Sequence, residues 1–175
     1  MSLFILDQAQ KQQVIDKTRY YINLANKQLQ LQLDAIEIKF DLKGRSSGMF
    51  VVKYNQIFIR YNEIIFSEYF KDNLENTVAH EVAHYVVYVQ YGARKVKPHG
   101  LEWKRVMALF EVNPEVTSRY DISALPLRRQ AQYDYSCACM SHQLSTTRHN
   151  KVQRKTAVYK CRKCRQSLRW NTAVS

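Results

Sequence analysis

The sequence predicts an α+β fold followed by a small cysteine-bearing module, and three observations lead to this prediction. Helical periodicity of apolar residues covers long segments at the start and in the middle of the 175 residues. Alternation of apolar and polar residues is confined to residues 36–61. All four cysteines lie close together near the end of the chain.

The N-terminal half contains a long helix, a group of short strands and a short helix. Apolar positions repeat with a helical period over about residues 8–33. Residues 36–40, 49–54 and 56–61 are rich in β-branched and aromatic side chains, which predicts a short antiparallel sheet. Residues 64–70 have the pattern of a short helix.

Two further helices occupy the middle of the chain. The first begins at Asp72 or Asn73, which are good capping residues, and continues to Tyr91, where Gly92 is a natural stop. The second runs over about residues 100–112. An irregular connector follows, so the predicted domains are residues 1–127 and residues 128–175.

The two predicted domains differ in net charge. The chain has a formal net charge of +12, yet residues 1–92 carry equal numbers of acidic and basic side chains. From residue 128 onward, Asp134 is the single acid against eleven Lys and Arg. Such a cationic segment predicts an anionic partner, with nucleic acid first and an acidic membrane surface second. The candidate contacts are Arg148, Lys151, Arg154, Lys155, Lys160, Arg162 and Lys163.

Hydropathy predicts neither a membrane span nor a secretory signal. No apolar run approaches the roughly 20 residues that cross a bilayer. The first six residues lack the basic start of a signal peptide. We therefore expect no membrane partner and a cytoplasmic location, in which association with the nucleoid is compatible with the expected DNA partner. In that reducing compartment, clustered cysteines indicate metal binding and not disulfides.

His80-Glu-Val-Ala-His84 is an HExxH motif on the third predicted helix. Residues four apart lie on one helical face, so both imidazoles can reach a single Zn²⁺ ion. Glu81 projects to the side, where it can act as general base toward a water on the metal. The motif predicts a catalytic zinc site.

A catalytic zinc usually has three protein ligands and one open position. His99 is the best third ligand because it follows a turn at Gly92 and directly precedes a predicted helix. Glu102, one turn into that helix, is an alternative.

The cysteines predict a second, structural zinc site. Cys161 and Cys164 have the usual C-x-x-C spacing, whereas Cys137 and Cys139 form the less regular C-x-C. Four cysteines make the simplest ligand set. In the alternative, His142 pairs with Cys139 at the usual spacing and Cys137 stays free.

Seven segments together resemble one family. They are His80–His84, His99-Gly-Leu-Glu-Trp103, Gly44-Arg-Ser-Ser-Gly48, Ile59-Arg-Tyr-Asn62, Tyr135-Ser-Cys-Ala-Cys139, Arg148-His-Asn150 and Tyr159-Lys-Cys-Arg-Lys-Cys164. They resemble the SprT-like zinc metallopeptidases, the bacterial SprT proteins most closely and the eukaryotic Spartan proteases more distantly. The resemblance implies a small zincin-like peptidase domain followed by a zinc ribbon. It also implies that His80, His84 and His99 bind zinc and that Glu81 is the catalytic base.

The predicted function is therefore a zinc-dependent endopeptidase, and the resemblance implies that proteins bound or crosslinked to DNA are its substrates. The alternative is a zinc-stabilised nucleic-acid-binding protein without peptidase activity. In related zinc peptidases an edge strand pairs with the substrate. From sequence order alone, residues 56–61 are the candidate edge strand.

Overall fold

The computed structural model describes residues 5–54, 56–92, 95–116, 120–127 and 131–171. The chain forms a mixed α+β structure that separates into two compact units, residues 1–127 and residues 128–175.

Helix α1 spans Gln8–Leu29 and is fixed at both ends. The Asp7 side chain accepts a hydrogen bond from the Gln10 main chain, and the Gln10 side chain accepts one from the Asp7 main chain. Gln30 adopts the left-handed conformation with φ 52°, which ends the helix before the predicted residue 33. The inner face of α1 packs against the later helix that carries the HExxH motif.

The first sheet contains β1 (Glu37–Lys39), β2 (Gly48–Lys53) and β3 (Gln56–Tyr61) in the order β1-β3-β2. Strand β2 is antiparallel to β3, as predicted, but β1 is parallel to β3. The prediction of an all-antiparallel sheet is therefore wrong for β1. Strands β1 and β2 lie on opposite sides of β3, and the chain reverses direction both before and after β2, so β1 and β3 run in the same direction.

The prediction that residues 56–61 form the edge strand is also wrong. Strand β3 is the central strand, and β2 and β1 form the two edges. Burial gives the physical reason: Phe58, Ile59 and Tyr61 of β3 are buried, whereas neither β1 nor β2 contains a fully buried residue. The strand with the most buried side chains thus takes the central position, where a neighbouring strand covers it on each side.

Helices α2 (Glu63–Glu68) and α3 (Phe70–Asp72) lead through a π-helical turn, Asn73–Thr77, into α4 (Val78–Tyr91). The predicted cap at Asp72 or Asn73 is wrong, because both residues have helical φ and ψ values. Asn73 is instead buried, and its side chain forms hydrogen bonds with the preceding and the following helical turn. Its amide nitrogen donates to the Tyr69 carbonyl, and its amide oxygen accepts from the Thr77 hydroxyl at 2.7 Å.

Helix α4 lies at the centre of the first unit, in contact with α1, β2 and α5 (Leu101–Leu109). Helix α5 buries Trp103, Val106 and Met107 against it. Gly92, with φ 80°, ends α4 as predicted. Burial of α4 among three neighbouring elements fixes the position of its HExxH motif.

The second unit contains β4 (Gln132–Ser136), β5 (Ser141–Ser145), α6 (Thr146–Gln153) and β6 (Arg169–Trp170). The strands form an antiparallel sheet in the order β5-β4-β6. Among residues 131–171, the buried ones are few: Tyr135, Leu144, His149 and Cys161. So small a core needs additional stabilisation, and four neighbouring cysteines are compatible with a zinc ribbon.

Across the described parts of the chain, no helix combines the length and apolar character that a bilayer crossing requires.

Candidate active site and metal centres

Three histidines meet beside helix α4. His80 and His84 lie one turn apart on α4, and His99, with φ 56°, directly precedes Gly100, the N-cap of α5. The Nε2 atom of His84 is 3.1 Å from that of His80 and 3.0 Å from that of His99. The Nε2 atoms of His80 and His99 are also 3.0 Å apart. Glu102, the alternative third ligand, is not part of this group.

Hydrogen bonds among the three imidazoles cannot explain this arrangement. Each Nε2 atom carries either a proton or a lone pair, so at least two of the three must be of the same kind. Such a pair cannot form a hydrogen bond, and yet every pair is at contact distance. A cation that accepts all three lone pairs satisfies every contact, and imidazole nitrogen is a preferred ligand of Zn²⁺. These three histidines therefore form a group that could hold a metal ion.

The surroundings keep these imidazoles neutral, which is the form that binds metal. Burial lowers the pKa of His80 to about 4 and that of His84 to about 3, and neighbouring histidines add to both shifts. Burial also lowers the pKa of His99. The main chain of Glu115 hydrogen-bonds His80, a contact of the kind that orients metal-binding imidazoles.

We expect the metal-free protein to lose stability as pH falls from about 6.5 toward 4. In that window the unfolded chain, whose histidines have a pKa near 6.5, takes up protons that folded His80 and His84 do not. Urea unfolding midpoints of the chelator-treated protein between pH 7 and pH 4 measure the loss. The double variant His80→Gln, His84→Gln should show a shallower decline, and an equal decline in both proteins would contradict this account.

Trp103 packs against His80, His84 and His99, which together form the histidine triad. Its side chain is 1% exposed, and its ring centroid lies 4.7 Å from that of His80 and 4.8 Å from that of His99. Its Nε1–H donates to the His80 carbonyl at 3.3 Å. Trp103, Val106, Met107 and Phe110 recur at the spacing of one helical face, which predicts a core position for Trp103. The structure adds that Trp103 packs against the three histidines.

We expect Trp103→Ala to weaken zinc affinity by about 10–100-fold, the usual cost of removing a group that orients metal ligands. The loss of a buried indole also destabilises the core. Trp103→Phe retains an aromatic ring at this position and should show a smaller loss of zinc affinity. Competition with a chromophoric chelator measures both values. Unchanged zinc affinity in a folded Trp103→Ala protein would contradict the supporting role.

Glu81 lies beside the triad, buried to 6% exposure. The main-chain N–H of Phe50, on strand β2, donates to its Oε2 atom at 2.6 Å. Burial raises the pKa of Glu81 to about 8, and the Phe50 hydrogen bond partly opposes this rise. A carboxyl with a pKa near neutrality can both accept and return a proton.

The triad and Glu81 line a cleft of about 870 Å³. Residues of the loop before β2 and of β2 itself form one part of its wall, and residues of the segment after α5 form another. The start of β2 therefore forms part of the cleft wall, next to the histidines.

Four cysteines form the second candidate centre. The sulfur atoms of Cys137, Cys139, Cys161 and Cys164 all lie within 4.8 Å of one another. Those of Cys137 and Cys139 are 3.5 Å apart, and those of Cys139 and Cys161 are 3.7 Å apart. A hydrogen bond from the Cys139 main chain is the largest contribution to the lowered pKa of the Cys137 thiol, which favours the thiolate that binds metal.

His142 lies at the border of this centre. Its Nε2 atom is 3.2 Å from the Cys137 sulfur, but the mutually close group consists of the four cysteines. Soft thiolate donors in such a group suit Zn²⁺, and His142 can then hydrogen-bond the Cys137 sulfur from outside.

The predicted nucleic-acid contacts all lie exposed in the second unit. Arg148 and Lys151 are on α6, and Arg154 and Lys155 follow its end. The remaining three, Lys160, Arg162 and Lys163, surround the second cysteine pair. Within the described residues of this unit, none of these seven side chains forms an ion pair.

Comparison with known proteins identifies the family. The family model described as SprT-like matches residues 18–121. Protein SprT of Vibrio parahaemolyticus is 38% identical over 148 residues, which cover 84% of this chain and 86% of that protein. The chain belongs to the SprT-like family.

Further SprT relatives extend over both units. Protein SprT of Yersinia pseudotuberculosis is 33% identical over 174 residues and 98% of each chain. Protein SprT of Pasteurella multocida is 36% identical over 132 residues, 75% of this chain and 76% of that protein. The SprT-like match contains the three histidines and Glu81, and the Yersinia alignment is long enough to include the cysteines as well.

Proposed function

We propose that this SprT-like protein is a zinc-dependent endopeptidase of zincin-like architecture that cleaves proteins bound or crosslinked to DNA. One observation carries the peptidase proposal: three mutually close imidazole nitrogens and a buried carboxylate share one open cleft. A structural metal site needs no neighbouring base, so Glu81 favours catalysis over a purely structural role.

His80, His84 and His99 would hold the zinc. When bound, zinc lowers the pKa of water and polarises the peptide carbonyl. Glu81 would take a proton from the attacking water as the new C–O bond forms, and would then deliver it to the amine nitrogen as the peptide C–N bond breaks. Burial raises the pKa of Glu81 above its usual value, which makes it a stronger proton acceptor than an exposed carboxylate.

The hydrogen bond from Phe50 orients this base. It occupies Oε2 of Glu81, and among the described residues no group donates a hydrogen bond to Oε1. Oε1 is therefore the oxygen available for proton transfer.

Strand β2 is the candidate edge for substrate binding. Because the Phe50 N–H points to Glu81 and away from β3, the N–H groups two residues away, at Gly48 and Val52, also point outward. An extended substrate segment can add to this edge by main-chain hydrogen bonds. The substrate then lies along the same strand that holds the catalytic base.

We expect Val52→Pro to raise the KM for protein substrates while zinc affinity stays unchanged, because it removes one outward N–H and leaves the β2–β3 ladder intact. The matched control is Val51→Pro, whose N–H faces β3 and whose loss should lower the unfolding midpoint instead. Steady-state cleavage assays and urea unfolding separate the two effects. A Val52→Pro protein with wild-type KM would exclude this edge.

The cationic second unit is the candidate DNA-binding element. Its exposed Lys and Arg side chains can contact phosphates, and one acidic residue is too few to neutralise them. DNA binding by this unit would bring the peptidase to proteins on DNA.

Zinc dependence tests the peptidase proposal. The zinc-loaded protein should cleave an unstructured protein substrate, the chelator-treated protein should not, and added zinc should restore cleavage. Absence of cleavage by the zinc-loaded protein, with both metal centres filled and DNA binding intact, would favour the nucleic-acid-binding alternative.

A further inference from the structure

Strand β2 and helix α4 approach one another unusually closely at Gly48. A β-carbon built on Gly48 would lie 2.8 Å from Cγ of Glu81, 2.8 Å from its Oε1 and 2.8 Å from Cγ2 of Thr77. Carbon atoms do not approach this closely, so any larger residue forces a displacement. Gly48 lacks a positive φ, which means that space and not backbone conformation requires glycine here.

The atoms that fill this space are those of the candidate catalytic base. Glu81 is buried and accepts a hydrogen bond from the main chain of Phe50, two residues along β2 from Gly48. Strand β2 must lie close to α4 for that bond to reach 2.6 Å. The bare backbone at Gly48 permits this approach.

Thr77 has little freedom to move away. Its hydroxyl donates at 2.7 Å to the side chain of Asn73, which is fully buried and also bonded to the carbonyls of Ile65 and Tyr69. The π-helical turn that contains both residues leads directly into α4. With Thr77 fixed, an added β-carbon must displace Glu81 or push β2 outward.

From these contacts we infer that Gly48 is a positioning residue for Glu81. Because Gly48 has no side chain, β2 can lie close enough to α4 for the Phe50 N–H to bind the Glu81 carboxylate. This bond keeps the carboxylate beside the histidine triad. This inference rests on the proposed peptidase function for its catalytic consequence only. The contact between Gly48 and Glu81 is a property of the protein without substrate and does not depend on that function.

Gly48→Ala tests the inference without catalysis. In ¹H–¹⁵N spectra, the Phe50 amide proton should resonate far downfield in the wild type because it donates a short hydrogen bond to a carboxylate. Gly48→Ala should move this resonance upfield by a large part of the shift that Glu81→Ala causes. Val89→Ala, an exposed position on α4, is the control and should leave it in place. An unchanged Phe50 resonance in Gly48→Ala would overturn the inference, whether or not the protein is a peptidase.

Kinetics then test the catalytic consequence. Gly48→Ala should lower kcat at least about tenfold, with KM within about twofold and zinc affinity unchanged. In a Glu81→Gln background the same change should have little further effect, because the proton acceptor is already absent. A rise in KM alone, a loss of zinc, or additive losses in the double variant would assign Gly48 a merely structural role. If the wild type cleaves nothing, the proposed function fails and the amide resonance still decides the positioning role.

Discussion

Glu81→Gln is expected to lower kcat/KM for protein cleavage by about 10²–10⁴-fold, the usual contribution of a general base. Glutamine has nearly the same shape and its amide oxygen can still accept the Phe50 N–H, so the cleft should keep its structure. The amide cannot take a proton from water, and this single loss accounts for the whole effect. Zinc content and the unfolding midpoint should stay close to the wild-type values.

Glu102→Gln is the matched control for this variant. It makes the same chemical change in a carboxylate that precedes Trp103 on α5 and lies outside the histidine group. Its activity should stay within about twofold of the wild type. Substantial cleavage by Glu81→Gln, or equal losses in both variants, would mean that Glu81 is not the base.

Neutralising the four cations on and after α6 should produce the second large effect. Each phosphate contact contributes about 0.9 to the slope of log K against log salt concentration, so losing Arg148, Lys151, Arg154 and Lys155 should make the slope shallower by about 3–4. Affinity for DNA at low salt should fall accordingly. Both metal centres should remain filled, because none of these residues is among the grouped ligands.

Four exposed cations of the first unit offer a matched control: Arg19, Lys27, Lys43 and Lys71. Neutralising these four residues lowers the net charge by the same amount, but at positions outside the cationic second unit. The salt slope should then stay as in the wild type. Equal reductions in the two quadruple variants would indicate non-specific attraction by total charge, and a salt-independent affinity would exclude phosphate contacts.

The sequence indicates part of this site because local geometry determines it. His80 and His84 share a helical face at a spacing of four, whatever the rest of the fold does. The cysteines are likewise close in sequence within each pair. For both groups, residue type and spacing already specify the chemistry.

Strand order is less accessible from the sequence. Whether residues 56–61 lie at the edge or in the centre depends on how the chain crosses after β1, and no local pattern of residues 40–47 specifies that crossing. The hydrogen bond to Glu81 comes from a main-chain N–H, which every residue except proline possesses, so nothing in the sequence marks Phe50 as its donor.

Gly48 illustrates a third case. In the sequence it ends a Gly44–Gly48 turn signal, and a turn is a sufficient explanation for a glycine. Its contact with Glu81 joins residues that are far apart in the chain and becomes visible only when β2 lies against α4. The same holds for Trp103, whose helical spacing predicts a core position but not a place beneath three histidines.

Cleavage of a basic DNA-binding protein tests the central claim most directly. The wild type and Glu81→Gln would each be incubated with this substrate, with zinc or a chelator, and with no DNA, single-stranded DNA or double-stranded DNA. We predict cleavage that requires zinc, Glu81 and DNA together, and the DNA form that supports it identifies the activating partner. Cleavage that persists in Glu81→Gln or in chelator would contradict the account, as would intact substrate under every condition with zinc and DNA bound.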